Sequence, residues 1–422
     1  MLVKLIQSQL QLFKQFEGPA RQLLSSLFIF AFFFPFFLLF SNAFIFRQAA
    51  GEIDFNLWYN LLHLFAVPIG FAYSGFLLKY LDIKTVFIAG MAGQVVNMVC
   101  LMFLPPAWMG QGMIGLFGLI SGLTSGAYWA GRNYLILSVT TDVNRTFFNG
   151  LEYIFFIIGN ILTPAFIGAF LSLGVDWEWF TIERGYQISL LGPILLVVGA
   201  SWVIYRTPFS SPPQARILFR SFGPVWNKVR LMAAFMGWTH AVVIVLPTIL
   251  VMKFIGGEAE LGYFTAIAQI ITLIIMYGVS SRAKPGNRHQ ILASGWLVLL
   301  LGSLGFQLGL ISFPWIVSLT LFLALFFADP MMNVPYRATA MRMVDQLQLT
   351  QNRSPFAYLM DLEIYNALGR LSGLGLCYIT YLYGSEMLAY SLFLWGALWL
   401  QLVNIPLIKS FNQAPLPFKK NA

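Results

Sequence analysis

The sequence predicts an all-α integral membrane protein, with twelve transmembrane helices arranged as two pseudo-symmetric bundles of six. Three observations carry this expectation. Of 422 residues, 59% are hydrophobic and only 10% are charged, whereas a soluble domain is about 25% charged. Uncharged runs long enough to cross a hydrocarbon core about 30 Å thick recur along the chain. The chain also repeats itself. Asn144-Arg145-Thr146-Phe147-Phe148, followed by Leu151-Glu152, returns as Asn352-Arg353-Ser354-Pro355-Phe356, followed by Leu362-Glu363. The two Asn-Arg motifs lie 208 positions apart and the two Leu-Glu pairs 211 apart, against a half-length of 211. Upstream, Tyr128-Trp129-Ala130-Gly131-Arg132 faces Asn333-Val334-Pro335-Tyr336-Arg337 at an offset of 205. A match at the same place in each half points to duplication.

Taken in order, residues 1–21 place Leu2, Leu5, Ile6, Leu10, Phe13 and Phe16 at helical spacing among Lys4, Gln7, Gln11 and Lys14. This pattern suits an amphipathic helix on the membrane surface, or equally a frayed tail. The first bundle occupies residues 22–205. Its spans are expected at Gln22–Phe46, Phe55–Leu78, two within Thr85–Gly131 split at Pro105-Pro106, Tyr153–Val175 and Gly185–Tyr205. A linker, 206–230, carries Pro208, Pro212, Pro213 and five basic residues. The second bundle, 231–408, has spans at Leu231–Met252, Leu261–Ser281, two within His289–Ala328 split at Ser312-Phe313-Pro314, Pro355–Tyr381 and Met387–Ile408. Residues 409–422 form a tail.

The net charge of +9 does not imply a nucleic-acid partner, because the basic residues lie on one side of the membrane. With the N-terminus inside, 21 Lys and Arg fall in cytoplasmic segments and three (Arg47, Arg184, Lys253) outside, with Arg370 inside a span. The positive-inside rule then puts both termini in the cytoplasm. The lack of a cleavable leader fits a bacterial cytoplasmic membrane. Cys100 and Cys377 fall in apolar runs and give neither a disulfide nor a metal signal. No Gly-rich phosphate loop occurs, so ATP hydrolysis is not the expected energy source. No cofactor and no metal are expected.

The span count, the six-plus-six repeat and the basic central loop resemble the major facilitator superfamily of secondary transporters over the whole chain. That family has a Gly-x-x-x-Asp-Arg-x-Gly-Arg-Arg pattern between spans 2 and 3. The corresponding stretch here runs Gly75-Phe-Leu-Leu-Lys79-Tyr-Leu-Asp82-Ile-Lys84. Lys79 replaces the acid, and Asp82 falls where the second Gly would be. A looser copy lies at Gly278–Arg288. The resemblance implies alternating access between two bundles around a central site lined by spans 1, 4, 7 and 10.

Ionisable groups inside a span are costly, and each raises a functional hypothesis. Asp329, next to Pro330 and followed by Asn333 and Pro335, is a candidate proton or cation site, since two prolines weaken the helix ladder. The alternative is an acid tied to Arg337 or Arg342. Glu363 and Arg370 are seven apart on span 11 and so share a face. About 10 Å of helical rise separates them, so each is expected to need another partner. Arg370 suits an anionic substrate group, or it bonds neighbouring acids and carbonyls. His240, after Trp238 and Thr239, is a further candidate, while His63 reads as structural. Two duplicated clusters read as latches of a cytoplasmic gate: Arg132 and Arg145 with Glu152, and Arg337 and Arg353 with Asp361 and Glu363. Thr146 and Ser354 read as helix N-caps, with Pro355 at the first helical position.

The expected function is secondary active transport of a small organic solute, coupled to an ion, with the proton favoured. A monomer in the lipid bilayer is expected. Asp329 and Glu363 are the coupling acids, and Arg370 is the substrate or charge-balancing group. A lipid translocase and a non-transporting membrane receptor are the alternatives. No paired catalytic motif supports an enzyme.

Overall fold

The computed structural model describes residues 16–49, 53–140, 142–209, 223–284, 286–351 and 355–413. The expected surface helix at the N-terminus falls almost wholly outside them, as do most of the linker and the tail.

Twelve long helices and one short 3₁₀ turn, Pro106–Trp108, account for the secondary structure of the described residues. They are α1 (Gly18–Gln48), α2 (Asp54–Leu77), α3 (Ile83–Met102), α4 (Gln111–Val139), α5 (Asp142–Asp176), α6 (Ile182–Arg206), α7 (Pro224–Ile255), α8 (Glu258–Arg282), α9 (Arg288–Gly309), α10 (Pro314–Gln351), α11 (Pro355–Tyr383) and α12 (Glu386–Gln413). All but α11 contain a stretch long and apolar enough to cross a membrane. At 29 residues α11 has the length, but Asp361, Glu363 and Arg370 interrupt it. The protein is a multi-pass integral membrane protein. The breaks after α3 and α9 fall at the expected proline turns. Gly223, at φ 88°, makes the turn into α7 in a conformation that only glycine adopts without strain.

The chain clusters into two units, 1–48 with 65–214, and 49–64 with 215–422. The N-terminal end of α2 therefore belongs with the second unit. Within the first unit α1 packs on α5 and α6, and α3 on α4 and α6. Within the second, α7 packs on α11 and α12, and α9 on α10 and α12. The pairing thus recurs with a shift of six helices.

The same defect opens both halves. Pro35 in α1 precedes a π turn at Phe36–Phe40, and Pro247 in α7 precedes one at Val251–Ile255. A proline gives no N–H to the carbonyl four residues back, so the helix locally changes its winding. The freed carbonyl of Ala31 faces Gly159 of α5, where an added Cβ would lie 2.1 Å from it. At the α7–α11 crossing Gly369 likewise lies against a carbonyl, that of Ala234, which Pro247 does not free. Small residues let the helix backbones approach this closely.

Three local expectations need correction. The first helix begins at Gly18, four residues before Gln22, because Pro19 is preorganised for a first turn. Thr146 does not cap α5, which already begins at Asp142. Pro330 and Pro335 do not break α10, which runs unbroken for 38 residues. Its packing repairs the ladder in part: the Thr272 hydroxyl of α8 is shared between the Ala268 carbonyl of its own helix at 2.9 Å and the Phe326 carbonyl left free by Pro330 at 3.2 Å.

A candidate solute and proton site in the second unit

Asp329, Asn333 and Arg337 follow one another at four-residue steps on α10, which aligns them along one face. The Asn333 amide lies between the other two. Its Oδ1 accepts from Arg337 Nε at 2.9 Å. That leaves the amide N–H groups on the side of Asp329, which has Asn333 and Arg337 as polar neighbours. Asp329 and Arg337 form no ion pair with any described residue. Asp329 is half-buried, and the Arg337 side chain is exposed.

Other helices of the unit bring further polar groups to this face. His240 on α7 also has Asn333 as a neighbour and lies in the field of Arg337 and Arg370. Its buried Nε2 has no hydrogen-bond partner. Tyr336 is buried beside Asn366, Glu363 and Arg370. His63, on the portion of α2 that clusters with this unit, lies near Arg370 and stacks on Tyr59 with centroids 6.3 Å apart.

Glu363 and Arg370 do not seek separate partners, as the helical rise suggested. Arg370 Nη2 bonds Glu363 Oε1 directly. Side chains on a helix lean toward its N-terminus, so a long arginine placed two turns after a glutamate reaches back to it. The two charges offset each other, and Arg370 Nε remains buried and unbonded.

The duplicated acid–arginine clusters are not equivalent. In the first unit Arg132 Nε bonds Glu152 Oε1 at 2.6 Å, and Nη2 bonds the other oxygen. Arg132 Nη1 bonds Asn133, and the guanidinium lies over the Trp129 ring. In the second unit Arg337 pairs with neither Asp361 nor Glu363, contrary to expectation. Asp361 is taken by α7, because Arg230 Nε and Nη2 reach its two oxygens at 2.6 and 2.8 Å while Trp226 Nε1 donates to Oδ2 at 2.6 Å. Arg230 and Trp226 escaped the sequence reading because both precede the expected start of the seventh span. Glu363 is held by Arg370. Arg145 and Arg353 lie outside the residues whose side chains are described. Among the described residues no three His, Cys, Asp or Glu side chains converge on a metal position.

No protein-family model and no curated protein sequence matches the chain. Solved structures do match. A D-xylose-proton symporter superposes with a TM-score of 0.70 at 12% identity, covering 91% of this chain and 96% of that one. The nucleoside transporter NupG gives 0.64 at 13% identity over 93% and 100% of the two chains. A bacterial homologue of the iron transporter ferroportin gives 0.57 at 16% identity over 94% and 99%. At such identities the likeness establishes the fold, which is that of major facilitator superfamily transporters.

Proposed function

We propose that the protein is a secondary active transporter that carries a small organic solute by alternating access and couples its movement to protons. The observation that carries this reading is Asp329. It is an acid far inside α10, without an ion-pair partner among the described residues, with Asn333 and Arg337 as polar neighbours, and His240 shares both of these. An ionised carboxylate at such a depth is costly, which suits a group that alternates between charged and neutral forms. A chain with this fold, offering a protonatable acid and solute-facing polar groups in one unit, has the parts that coupled transport needs.

In this reading Asp329 carries the proton, and Asn333, His240 and Arg337 meet the solute. The Glu363–Arg370 pair balances charge behind them. Arg132–Glu152 and Arg230–Asp361 tie helices within each unit and serve as latches. The protein acts as a monomer in a bacterial cytoplasmic membrane, with both termini inside.

The test is solute-dependent proton movement in proteoliposomes of the full-length protein. Movement that disappears in Asp329→Asn is the expected result. Unchanged proton-driven uptake by that variant would remove Asp329 from the mechanism.

A further inference from the structure

We infer that the transported solute is an organic anion, bound by the two terminal nitrogens of Arg337, and that it enters together with one proton on Asp329. This deepens the transporter reading and rests on it.

The argument starts from the broken repeat. Arg132 and Arg337 occupy matching places in the two halves, 205 positions apart. Glu152 saturates Arg132 with two hydrogen bonds. Its repeat mate Glu363 is engaged by Arg370 on the same helix, so the second half has a guanidinium with no carboxylate. Arg337 spends only Nε, on Asn333. Nη1 and Nη2 remain as a planar two-donor fork, the geometry that takes carboxylate or phosphate oxygens in pairs. The anchoring bond fixes the direction of the fork. His240 Nε2 and Arg370 Nε are buried nearby without partners and offer further contacts.

Charge balance links the anion to the proton. The ionisable groups in the field of Arg337 are Asp329, Tyr336 and His240; Arg370 in turn acts on Tyr336, His240 and His63, and Glu363 on Tyr336. The other charged groups described on α10 and on the helices packed against it lie toward helix ends: Lys253, Glu258, Glu260 and Glu386 at one, and Lys228, Arg230, Arg288, Arg342, Asp361 and Lys409 at the other. With both histidines and Tyr336 neutral, the empty site is balanced: Asp329 offsets Arg337, and Glu363 offsets Arg370. An anion alone would leave one excess negative charge within a membrane-spanning bundle. For a monoanion, a carboxylate or a singly protonated phosphate ester, a proton on Asp329 removes it, so the empty and loaded forms are both neutral. Neutral forms are the ones that cross between the two faces at low cost. On release, the Asp329 carboxylic acid gives its proton to water and returns to the carboxylate, with no bond of the solute made or broken.

The experiment uses proteoliposomes of the full-length protein and four pools of labelled solutes of similar size: carboxylates, phosphate esters, polyols and primary amines. Uptake of a carboxylate or phosphate-ester pool is expected, rising as the outside pH falls. Arg337→Gln is expected to weaken apparent affinity by about 10- to 100-fold, the loss of a charge-assisted pair. Arg337→Lys, which keeps the charge without the fork, is expected to fall between. Modification of wild-type protein by phenylglyoxal gives a second reading that needs no variant. Arg337 should react faster than Arg132, and the anionic pool should protect it. Flux carried by polyols or amines, indifferent to Arg337→Gln and with no protection by anions, would overturn the anion assignment and leave the transporter intact. No flux of any pool would overturn the transporter reading and this inference with it.

Discussion

At the scale of single residues, the same arginine–acid chemistry serves two ends. Arg132 and Glu152 are a saturated pair, with the Glu152 side chain only 3% exposed. Removing one partner of a buried pair strands the other charge, while replacing both with apolar groups of similar size is often neutral. Glu152→Leu is therefore expected to destabilise the protein by about 3 kcal/mol in detergent unfolding. The double variant Arg132→Met, Glu152→Leu should recover most of that loss. If the double variant is as unstable as the single one, Arg132 has a further role that the pair hides. Asn333 differs because its neighbours are functional candidates. Asn333→Leu keeps the volume but removes the bond to Arg337 Nε, so Arg337 loses its anchor. A raised KM for the transported solute with little change in unfolding temperature is the expected result. A large drop in unfolding temperature with an unchanged KM would make Asn333 merely structural.

At the scale of helices, the spans could be read because their signals are backbone-deep: long apolar runs, and prolines at the turns. The continuity of α10 could not be read. A proline says that a carbonyl is freed, and says nothing of who satisfies it. Here Thr272, on another helix, shares its hydroxyl between Phe326 and Ala268 of its own helix. This makes a testable coupling. Thr272→Val should cost about 1 kcal/mol, within the range of interhelical hydrogen bonds in membranes. In a Pro330→Ala background residue 330 regains its N–H, and the same change should cost much less. Equal costs in both backgrounds would mean that the hydroxyl is not repairing the ladder. The Glu363–Arg370 pair was missed for a related reason. A rise of 1.5 Å per residue measures the backbone, while the contact is made by two side chains long enough to span two turns.

At the scale of the whole chain, the duplication visible in two short motifs extends to features the motifs do not contain. Pro35 and Pro247 are 212 positions apart, and Gly159 and Gly369 are 210 apart. Half of the candidate site was legible in the same way. Asp329, Asn333 and His240 stand out as polar groups in apolar runs, but Arg337 reads as a latch of the cytoplasmic gate rather than a solute ligand, because hydropathy places it near the cytoplasmic end. Charge asymmetry also yields a prediction about the whole protein in its membrane. Tyr80, 72% exposed between α2 and α3, and Trp179, 66% exposed between α5 and α6, are separated by α3, α4 and α5. Three crossings put them on opposite sides. Lys79 and Lys84 flank the first position and Glu178 and Glu183 the second, so the positive-inside rule assigns Tyr80 to the cytoplasm. In a background with Cys100 and Cys377 replaced, Tyr80→Cys should react with an impermeant maleimide only in inverted vesicles, and Trp179→Cys only in right-side-out ones. The reverse pattern would invert the protein and put both termini outside. Labelling of both from one side would mean that one of the three helices between them does not cross, and the repeat of six would then fail.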